Sequence, residues 1–220
     1  TFTFKSSPLV PKPSPAKSDT SIFNVILYIV EYLKNIKPFS TLEDSQISII
    51  NELSTTEEYP KNTFIIKQGT IAQKLIFLKS GIAASIYEKQ KKSFIRDFYF
   101  EPHIFTEQQS FIKKTPAKFS VISVSHITCN LISFEDLETL YDKIPILKNI
   151  AYDMLLNGFI SISDRLESLL TLTPEQRYLK LLTQNPKLLH EIPLKMIASY
   201  LGVTDVGLSR IRKRISLNKK

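Results

Sequence analysis

The residues best suited to bind another molecule lie near the carboxyl end of the chain, between Thr204 and Ile215. At 100° per residue, Leu208, Ile211 and Ile215 share one face of a helix. The other side carries Val206, Ser209, Arg210, Lys213 and Arg214. Guanidinium and ammonium groups bind phosphate, and a guanidinium can also donate two hydrogen bonds to a guanine edge. This face therefore favours a nucleic acid as its partner.

A second short helix is predicted just before this one. Pro193 fits a first helical turn, where its missing N–H has no partner in any case, and apolar residues follow at helical spacing to Leu201. Gly202 can end that helix, and Thr204 can cap the next one. Two helices around a tight turn, the second basic on its outer face, form a helix-turn-helix suited to the major groove of double-stranded DNA. We predict DNA contacts from Thr204, Asp205, Val206, Ser209, Arg210, Lys213, Arg214 and Lys195.

The predicted DNA contacts differ in their roles. Arg210 is expected to pair with a guanine edge, and Asp205 can accept a hydrogen bond from a cytosine amino group. Val206 can meet a thymine methyl group. Contacts that position the protein on phosphates are expected from Lys213, Arg214 and Lys195.

The charges of the chain are distributed unevenly. Residues 171–220 contain ten Lys/Arg and three Asp/Glu, whereas residues 1–170 contain nineteen and eighteen. Nearly all of the formal net charge of +8 therefore belongs to the last fifty residues. Helix-turn-helix geometry also occurs in proteins that bind no nucleic acid, and a basic face is often only a solvated surface. The segregation of charge favours DNA, since phosphate neutralisation supplies most non-specific DNA affinity.

A long helix is predicted upstream, from Ile146 to about Leu170. Its length, about 37 Å at 1.5 Å per residue, exceeds what a small domain needs for internal packing. Its apolar residues recur at three- and four-residue steps, which fits either a core helix of a large domain or the seam of a homodimer. We favour the homodimer, in which Gly158 would permit close approach of the two helices. The predicted interface comprises Leu147, Ile150, Met154, Gly158, Ile162 and Leu166.

The middle of the chain has the pattern of short β-strands. Six runs rich in β-branched and aromatic residues, separated by turn residues, predict an antiparallel sandwich or barrel. They are Thr63–Lys67, Leu75–Lys79, Ile82–Tyr87, Phe94–Phe100, Phe119–Val124 and Ile127–Ser133. Helices are predicted around Ile26–Leu33 and Leu42–Leu53, and further helices are expected to start at Ser133 and at Thr173-Pro174.

Composition argues against several classes of protein. No apolar run approaches the ~20 residues of a membrane span. A single cysteine, Cys129, and three scattered histidines offer neither a disulfide framework nor a metal site. No nucleophile–base motif, P-loop or Gly-rich cofactor loop is present, so neither enzyme activity nor a cofactor is predicted. The lack of a visible signal peptide predicts a cytoplasmic location.

Taken in chain order, these features resemble Crp/Fnr-type transcription regulators, and in particular the branch common in Bacteroidetes. Lys67-Gln68-Gly69, Leu75–Leu78 and Ser80-Gly81 resemble the turns and central strand of that family's β-roll. Leu194–Thr204 followed by Leu208–Arg212 resembles its DNA-binding element. The resemblance implies an α+β fold: an antiparallel β-roll of the cyclic-nucleotide-binding jelly-roll type with flanking helices, a long dimerisation helix and a C-terminal helix-turn-helix domain.

The resemblance also implies the domain organisation and the partners. Thr1–Thr20, with four prolines among serines and lysines, is expected to be a flexible segment without an assigned function. The β-roll domain is expected over residues 21–143, the dimerisation helix over 144–170 and the DNA-binding domain over 171–220. The expected partners are double-stranded DNA, a second copy of the chain and RNA polymerase.

An effector site is the feature in which the chain departs most from that family. Members that bind cyclic nucleotides hold the ribose with a Gly-Glu pair and the cyclic phosphate with an arginine. Here Ala117 falls at the arginine position, and the neighbouring Lys118 is a poor replacement for a bidentate guanidinium. Cyclic AMP is therefore not expected to bind, and the β-roll is expected to sense an unknown small molecule or none. The candidate pocket residues are Glu107, Gln108, Lys118 and Ser120.

The sequence is compatible with two functions from different classes. The first is a sequence-specific transcription regulator that acts as a homodimer. The alternative is a small-molecule-binding module, with cyclic nucleotides among the possible ligands, whose DNA-binding output is secondary or vestigial.

Overall fold

The computed structural model describes residues 39–90, 92–184 and 188–217. Within these ranges the chain forms eight β-strands and eight α-helices. The strands are β1 Thr55–Tyr59, β2 Phe64–Ile66, β3 Lys74–Ser80, β4 Ile82–Lys89, β5 Lys92–Phe100, β6 His103–Phe105, β7 Ser120–Ser123 and β8 Ile127–Ser133. The helices are α1 Asp44–Glu52, α2 Gln108–Lys113, α3 Phe134–Lys143, α4 Ile146–Thr171, α5 Pro174–Gln184, α6 Leu188–Glu191, α7 Leu194–Leu201 and α8 Asp205–Leu217.

The strands form two antiparallel four-stranded sheets, which we call sheet A and sheet B. Sheet A has the order β1-β8-β3-β6, and sheet B has the order β2-β7-β4-β5. Apolar side chains from both sheets meet inside the roll, among them Leu78, Val121 and Ile127, each with at most 1% of its surface exposed. The predicted antiparallel β-roll with flanking helices is therefore confirmed.

Two strands were not predicted from the sequence. Strand β1 pairs with β8 along its whole length, but its residues are polar and mostly exposed, so it lacks the apolar alternation that identifies a strand. Strand β6 has only three residues, too few for a period to show. The predicted segment Thr1–Thr20 and the predicted helix around Ile26–Leu33 lie outside the described residues.

The outer faces of the two sheets pack against different helices. The outer face of sheet A, with Phe77 and Ile132, packs against α1, α3 and the first turns of α4. The outer face of sheet B, with Ile86 and Phe98, packs against a cluster from α5 to α8. The long helix α4 thus begins against one sheet, and the C-terminal helices lie against the other. None of the described helices is long and apolar enough to cross a membrane.

Side-chain caps start several helices where the sequence predicts them. The Ser133 hydroxyl accepts a hydrogen bond from the Asp136 amide at 3.0 Å and begins α3. Before α5, the Thr173 hydroxyl accepts from the Gln176 amide at 3.3 Å, while the Gln176 side chain accepts from the Thr173 amide at 2.8 Å. Gly202 ends α7 with a φ of 71°, a left-handed conformation that glycine adopts without steric cost.

Candidate functional site

Helix α8 has one buried face and one exposed face. Leu208 and Ile211 are 1% and 5% exposed, and they pack in the same apolar cluster as Ile197 and Leu201 of α7. Val206 is 61% exposed at the centre of the opposite side. The predicted contact residues Ser209, Arg210, Lys213 and Arg214 are exposed as well. A rigid apolar attachment to α7 therefore presents these side chains outward together.

The amino end of α8 follows the expected capping chemistry. The Thr204 hydroxyl accepts a hydrogen bond from the Gly207 amide at 3.1 Å, so Thr204 has a structural role besides its predicted DNA contact. A Cβ added at Gly207 would lie 3.2 Å from that hydroxyl, so a larger residue would require the Thr204 side chain to shift by a few tenths of an ångström. Asp205 lies exposed in the first turn, where a carboxylate is favourable for the helix dipole.

The cations around α8 differ in their surroundings. Arg214 pairs with Glu175 of α5 at 3.3 Å, and the arginine side chain is 61% exposed. The Glu175 side chain is 29% exposed, so Arg214 would have to leave a half-buried carboxylate to contact a phosphate. Among the described residues, neither Arg210 nor Lys213 has an acidic partner in an ion pair. Lys195 is exposed near the start of α7.

The structure divides the predicted dimer interface between two sides of α4. Leu147 and Ile150 are 5% and 6% exposed in the chain's own core, and the half-buried Met154 packs against the same cluster. The side chains of Leu147 and Ile150 are therefore not available to a second chain, whereas Met154 keeps part of its surface exposed. The predicted set advances mainly in four-residue steps, and each such step turns the helix by about 40°, so the set drifts from the buried side toward the exposed one. At Gly158, between the two sides, an added Cβ would meet no atom within 4 Å.

A different set of α4 residues forms a straight apolar line. Its members alternate at three- and four-residue steps, and each has between 41% and 70% of its surface exposed. We call it the exposed stripe: Tyr152, Leu155, Phe159, Ile162, Leu166 and Leu169. Ile162 and Leu166 are the two predicted interface residues that belong to it. This spacing is that of a left-handed coiled-coil seam, and so large an exposed apolar surface indicates a site of association.

The candidate effector residues do not converge on an open site. Glu107 is 4% exposed and accepts a hydrogen bond from the Ser110 amide at 2.6 Å, so its carboxylate caps α2. Ser120 is fully buried, where its hydroxyl accepts from the Gln68 amide at 2.8 Å and donates to the Glu88 carboxylate at 3.1 Å. Gln108 and Lys118 are exposed.

The position expected for a phosphate-binding arginine is occupied by apolar packing. Ala117 is 3% exposed, and its backbone exchanges 2.8 Å hydrogen bonds with Gly69 and Thr70. Phe119, 4% exposed, packs in the same interior cluster. The polar and small residues of this region therefore hold the roll together.

An apolar cavity of about 370 Å³ lies outside the roll, between sheet A and helices α2, α3 and α4. Its walls include Phe77 and Ile132 of the sheet and Met154 and Leu155 of the long helix. Leu155 also belongs to the exposed stripe, so the cavity opens beside the surface on which a second copy would pack.

Cys129 is a free thiol in the interior of the roll. It is fully buried, and desolvation, with a contribution from the nearby Glu57 carboxylate, raises the pKa of the thiol to about 12. A thiol with this pKa is neutral at physiological pH and is a poor nucleophile and metal ligand. Within the ranges described, no group of three or more His, Cys, Asp or Glu side chains could hold a metal ion.

Two arginines that were not among the predicted functional residues connect the long helix to the C-terminal helices. The Arg165 guanidinium donates to the Tyr200 carbonyl at 2.7 Å. The Arg177 guanidinium donates to the carbonyls of Leu172 and Leu201 at 2.7 and 2.9 Å. The Arg165 bond joins residues 35 positions apart, and no local pattern in the sequence reveals such a contact.

Comparison with known proteins identifies the class of fold. Residues 56–143 match the family described as the cyclic nucleotide-binding domain. No curated protein sequence matches the chain. Among solved structures, the regulator CLP of Xanthomonas campestris, described as c-di-GMP-responsive, is 16% identical with a TM-score of 0.68 over 80% of this chain and 93% of that one.

Two further structures agree with this result. FixK2 of Bradyrhizobium japonicum is 15% identical with a TM-score of 0.65, over 76% of this chain and 86% of that chain. The catabolite activator protein of Thermus thermophilus is 16% identical with a TM-score of 0.53, over 83% of this chain and 87% of that one. The chain therefore has a Crp/Fnr-like fold, and its β-roll is of the cyclic nucleotide-binding type.

Proposed function

We propose that this protein is a sequence-specific DNA-binding transcription regulator that acts as a homodimer. The observation that carries the proposal is the exposed side of α8, where Val206, Ser209, Arg210 and Lys213 point away from a rigid apolar support. A helix held in this way can enter the major groove and bring several side chains to base edges at once.

The expected DNA contacts follow from the chemistry and position of each side chain. Arg210 donates to a guanine edge, and Val206, at the centre of the exposed side, meets a thymine methyl group. Asp205 accepts a hydrogen bond from a cytosine amino group, and its negative charge disfavours phosphates close to it. The cations that contact phosphate and position the protein without specifying sequence are Lys213, Arg214 and Lys195.

The exposed stripe of α4 supplies the dimer in this proposal. Two copies of a 26-residue helix with apolar residues at alternating three- and four-residue steps can pack in a two-stranded coiled coil. A two-fold dimer of this kind presents two α8 helices, and a two-fold related site requires them about 34 Å apart. RNA polymerase is the further partner expected of a regulator bound in this way.

Selection of bound sites from random double-stranded DNA, at a stated salt concentration, tests the proposed function. We expect enrichment of a two-fold symmetric sequence whose half-sites lie about one helical turn apart. Recovery of no consensus would contradict specific recognition, and recovery of a single asymmetric half-site would contradict the dimer.

Small-molecule sensing is a second candidate function, and the apolar cavity is the observation that favours it. A volume of about 370 Å³ falls within the range of ligand sites, and one wall of the cavity is α4. A ligand there would contact the helix that carries the dimer surface. Mass spectrometry of compounds extracted from the purified protein, followed by adding each compound back, tests this function. A compound that raises the melting temperature supports it, and purified protein free of any such compound counts against it.

A further inference from the structure

Arg165 of α4 makes the shortest described hydrogen bond between the long helix and the C-terminal helices. Its guanidinium donates to the Tyr200 carbonyl at 2.7 Å, and the guanidinium carbon lies 3.6 Å from the centre of the Tyr200 ring. Tyr200 is the penultimate residue of α7, immediately before the turn at Gly202 that leads to α8. Because the planar guanidinium both stacks on the Tyr200 ring and bonds the Tyr200 backbone, it fixes the orientation of α7 relative to α4 as well as the distance between the two helices.

Helix α7 is also attached to the β-roll. The Ser199 hydroxyl accepts a hydrogen bond from the Ile95 amide at 3.0 Å and donates to the Ser93 carbonyl at 3.4 Å. Ile95 lies in β5, an edge strand of sheet B. The Ser199 hydroxyl therefore takes the place of a neighbouring strand as the hydrogen-bond acceptor for the Ile95 amide. The rings of Tyr200 and Phe98 are 5.4 Å apart in the same contact. Helix α7 is thus held by α4 on one side and by β5 on the other.

Arg165 lies beside the exposed stripe on α4. Arg165 is half-buried and lies on the flank of the helix that faces α7. At 100° per residue, Ile162 and Leu169 of the stripe are about 60° and 40° from Arg165 around the helix, and Phe159 is about 120° away. Because the Arg165 guanidinium is bonded to Tyr200 of α7, a second copy can pack on the stripe with that bond in place.

We infer that Arg165 is a positioning residue that sets the distance between the two recognition helices of the dimer, and so the spacing of the two DNA half-sites. The inference rests on the proposed function. With the Arg165 bond in place, α8 is fixed relative to α4, and two-fold symmetry then fixes one α8 relative to the other. Without the bond, the C-terminal helices keep the link through residues 172–173 and their apolar packing on sheet B, but α7 loses its direct polar attachment to α4. We then expect the distance between the two α8 helices to vary more, so that half-sites at more than one separation can be reached.

A series of duplexes tests this role. The selected site is used with its natural spacing and with one or two base pairs inserted or removed between the half-sites. For the unaltered protein we expect affinity to fall by roughly a hundredfold at the wrong spacings, the low end of what simultaneous binding of two sites contributes. For Arg165→Ala we expect the difference between spacings to shrink to about threefold, because the C-terminal helices lose their direct attachment to the helix that pairs the two copies.

Matched variants separate positioning from general effects of charge or folding. Lys180→Ala removes a cation that lines the same small cavity as Arg165, and it should leave the spacing preference unchanged. Arg165→Lys keeps the charge but loses the planar donor, and its preference should lie between those of Arg165→Ala and the unaltered protein. Ser199→Ala should relax the preference less than Arg165→Ala. Melting curves and sedimentation establish that each variant is a folded dimer.

The outcomes distinguish this inference from the proposed function. An Arg165→Ala dimer that binds the natural site and still rejects the altered spacings would overturn the positioning role. The same role fails if the unaltered protein tolerates all spacings equally. If no variant and not even the unaltered protein discriminates the selected site from random DNA, the proposed function itself fails.

Discussion

The β-roll and the C-terminal part of the chain differ in which side chains are buried and which are exposed. In the roll, Glu107 and Ser120 are buried and bonded to other parts of the protein. On α4 and α8, by contrast, apolar residues such as Phe159 and cations such as Arg210 are exposed to solvent. Buried and satisfied groups stabilise a fold, whereas exposed apolar lines and cationic faces indicate partners.

This contrast separates the family match of the β-roll from the surfaces on which the proposed function rests. The roll matches the cyclic nucleotide-binding domain over residues 56–143, and the sequence predicts Ala117 at the position of the family's phosphate-binding arginine. The C-terminal helices lie outside that match but present side chains suited to DNA. Function therefore has to be argued from the site in each region separately.

The largest expected effect comes from placing a charge in the exposed stripe. Phe159→Lys should convert the dimer to a monomer, because the lysine would be desolvated at the centre of an apolar seam. Affinity for the selected symmetric site should then fall by about 10²–10⁴-fold with the loss of two-site binding. Sedimentation and a binding titration measure the two effects.

Asn157→Lys is the matched control for this substitution. Asn157 is exposed on the same helix two residues away, but outside the stripe. The variant should remain a dimer with nearly unchanged affinity. A dimeric Phe159→Lys protein would show that the stripe is not the interface.

Removal of the Arg210 guanidinium should have the next largest effect. Arg210→Ala is expected to cost about 1–3 kcal/mol of binding free energy on the selected site and to relax preference at one base pair. Arg212→Ala removes the same charge from the flank of α8 and should weaken binding without relaxing any base preference. Equal losses of binding free energy on specific and random DNA would show that Arg210 contacts phosphate and does not read a base.

A substitution in the β-roll should affect stability and leave DNA binding unchanged. Glu107→Ala removes the cap of α2 and should lower the free energy of unfolding by about 0.5–2 kcal/mol. Gln108→Ala, at the exposed neighbouring position, should have little effect on either property. Denaturant unfolding and a DNA titration compare the two variants. A stable Glu107→Ala protein with altered DNA affinity would instead indicate an effector site.

The smallest expected effect is that of cyclic AMP. Millimolar cyclic AMP should leave the melting temperature unchanged, because the roll offers Ala117 where the phosphate would need a guanidinium. Thermal unfolding with and without the nucleotide measures this. A rise of several degrees would show that other residues of the roll compensate for the missing arginine.

Local chemistry explains which parts of the structure were predictable from the sequence. Helix ends depend on contacts within a few residues, so they can be predicted from short motifs. The structure shows the expected helix ends at Ser133, Thr173 and Gly202. Only Ile162 and Leu166 of the exposed stripe were predicted. The predicted interface advances mainly in four-residue steps, and each of these turns it by about 40°, from the buried side of α4 toward the exposed side. Strand β1 and the Arg165–Tyr200 contact depend on residues distant in sequence, and no local pattern encodes them.

The stoichiometry of the complex with DNA shows whether the protein recognises its site as a dimer. Sedimentation equilibrium of the full chain, alone and with a duplex carrying the selected site, measures it. We expect a dimer at micromolar concentration and a complex of two chains with one duplex, while random DNA of equal length binds far more weakly. A monomer that binds selected and random duplexes equally well would contradict the account.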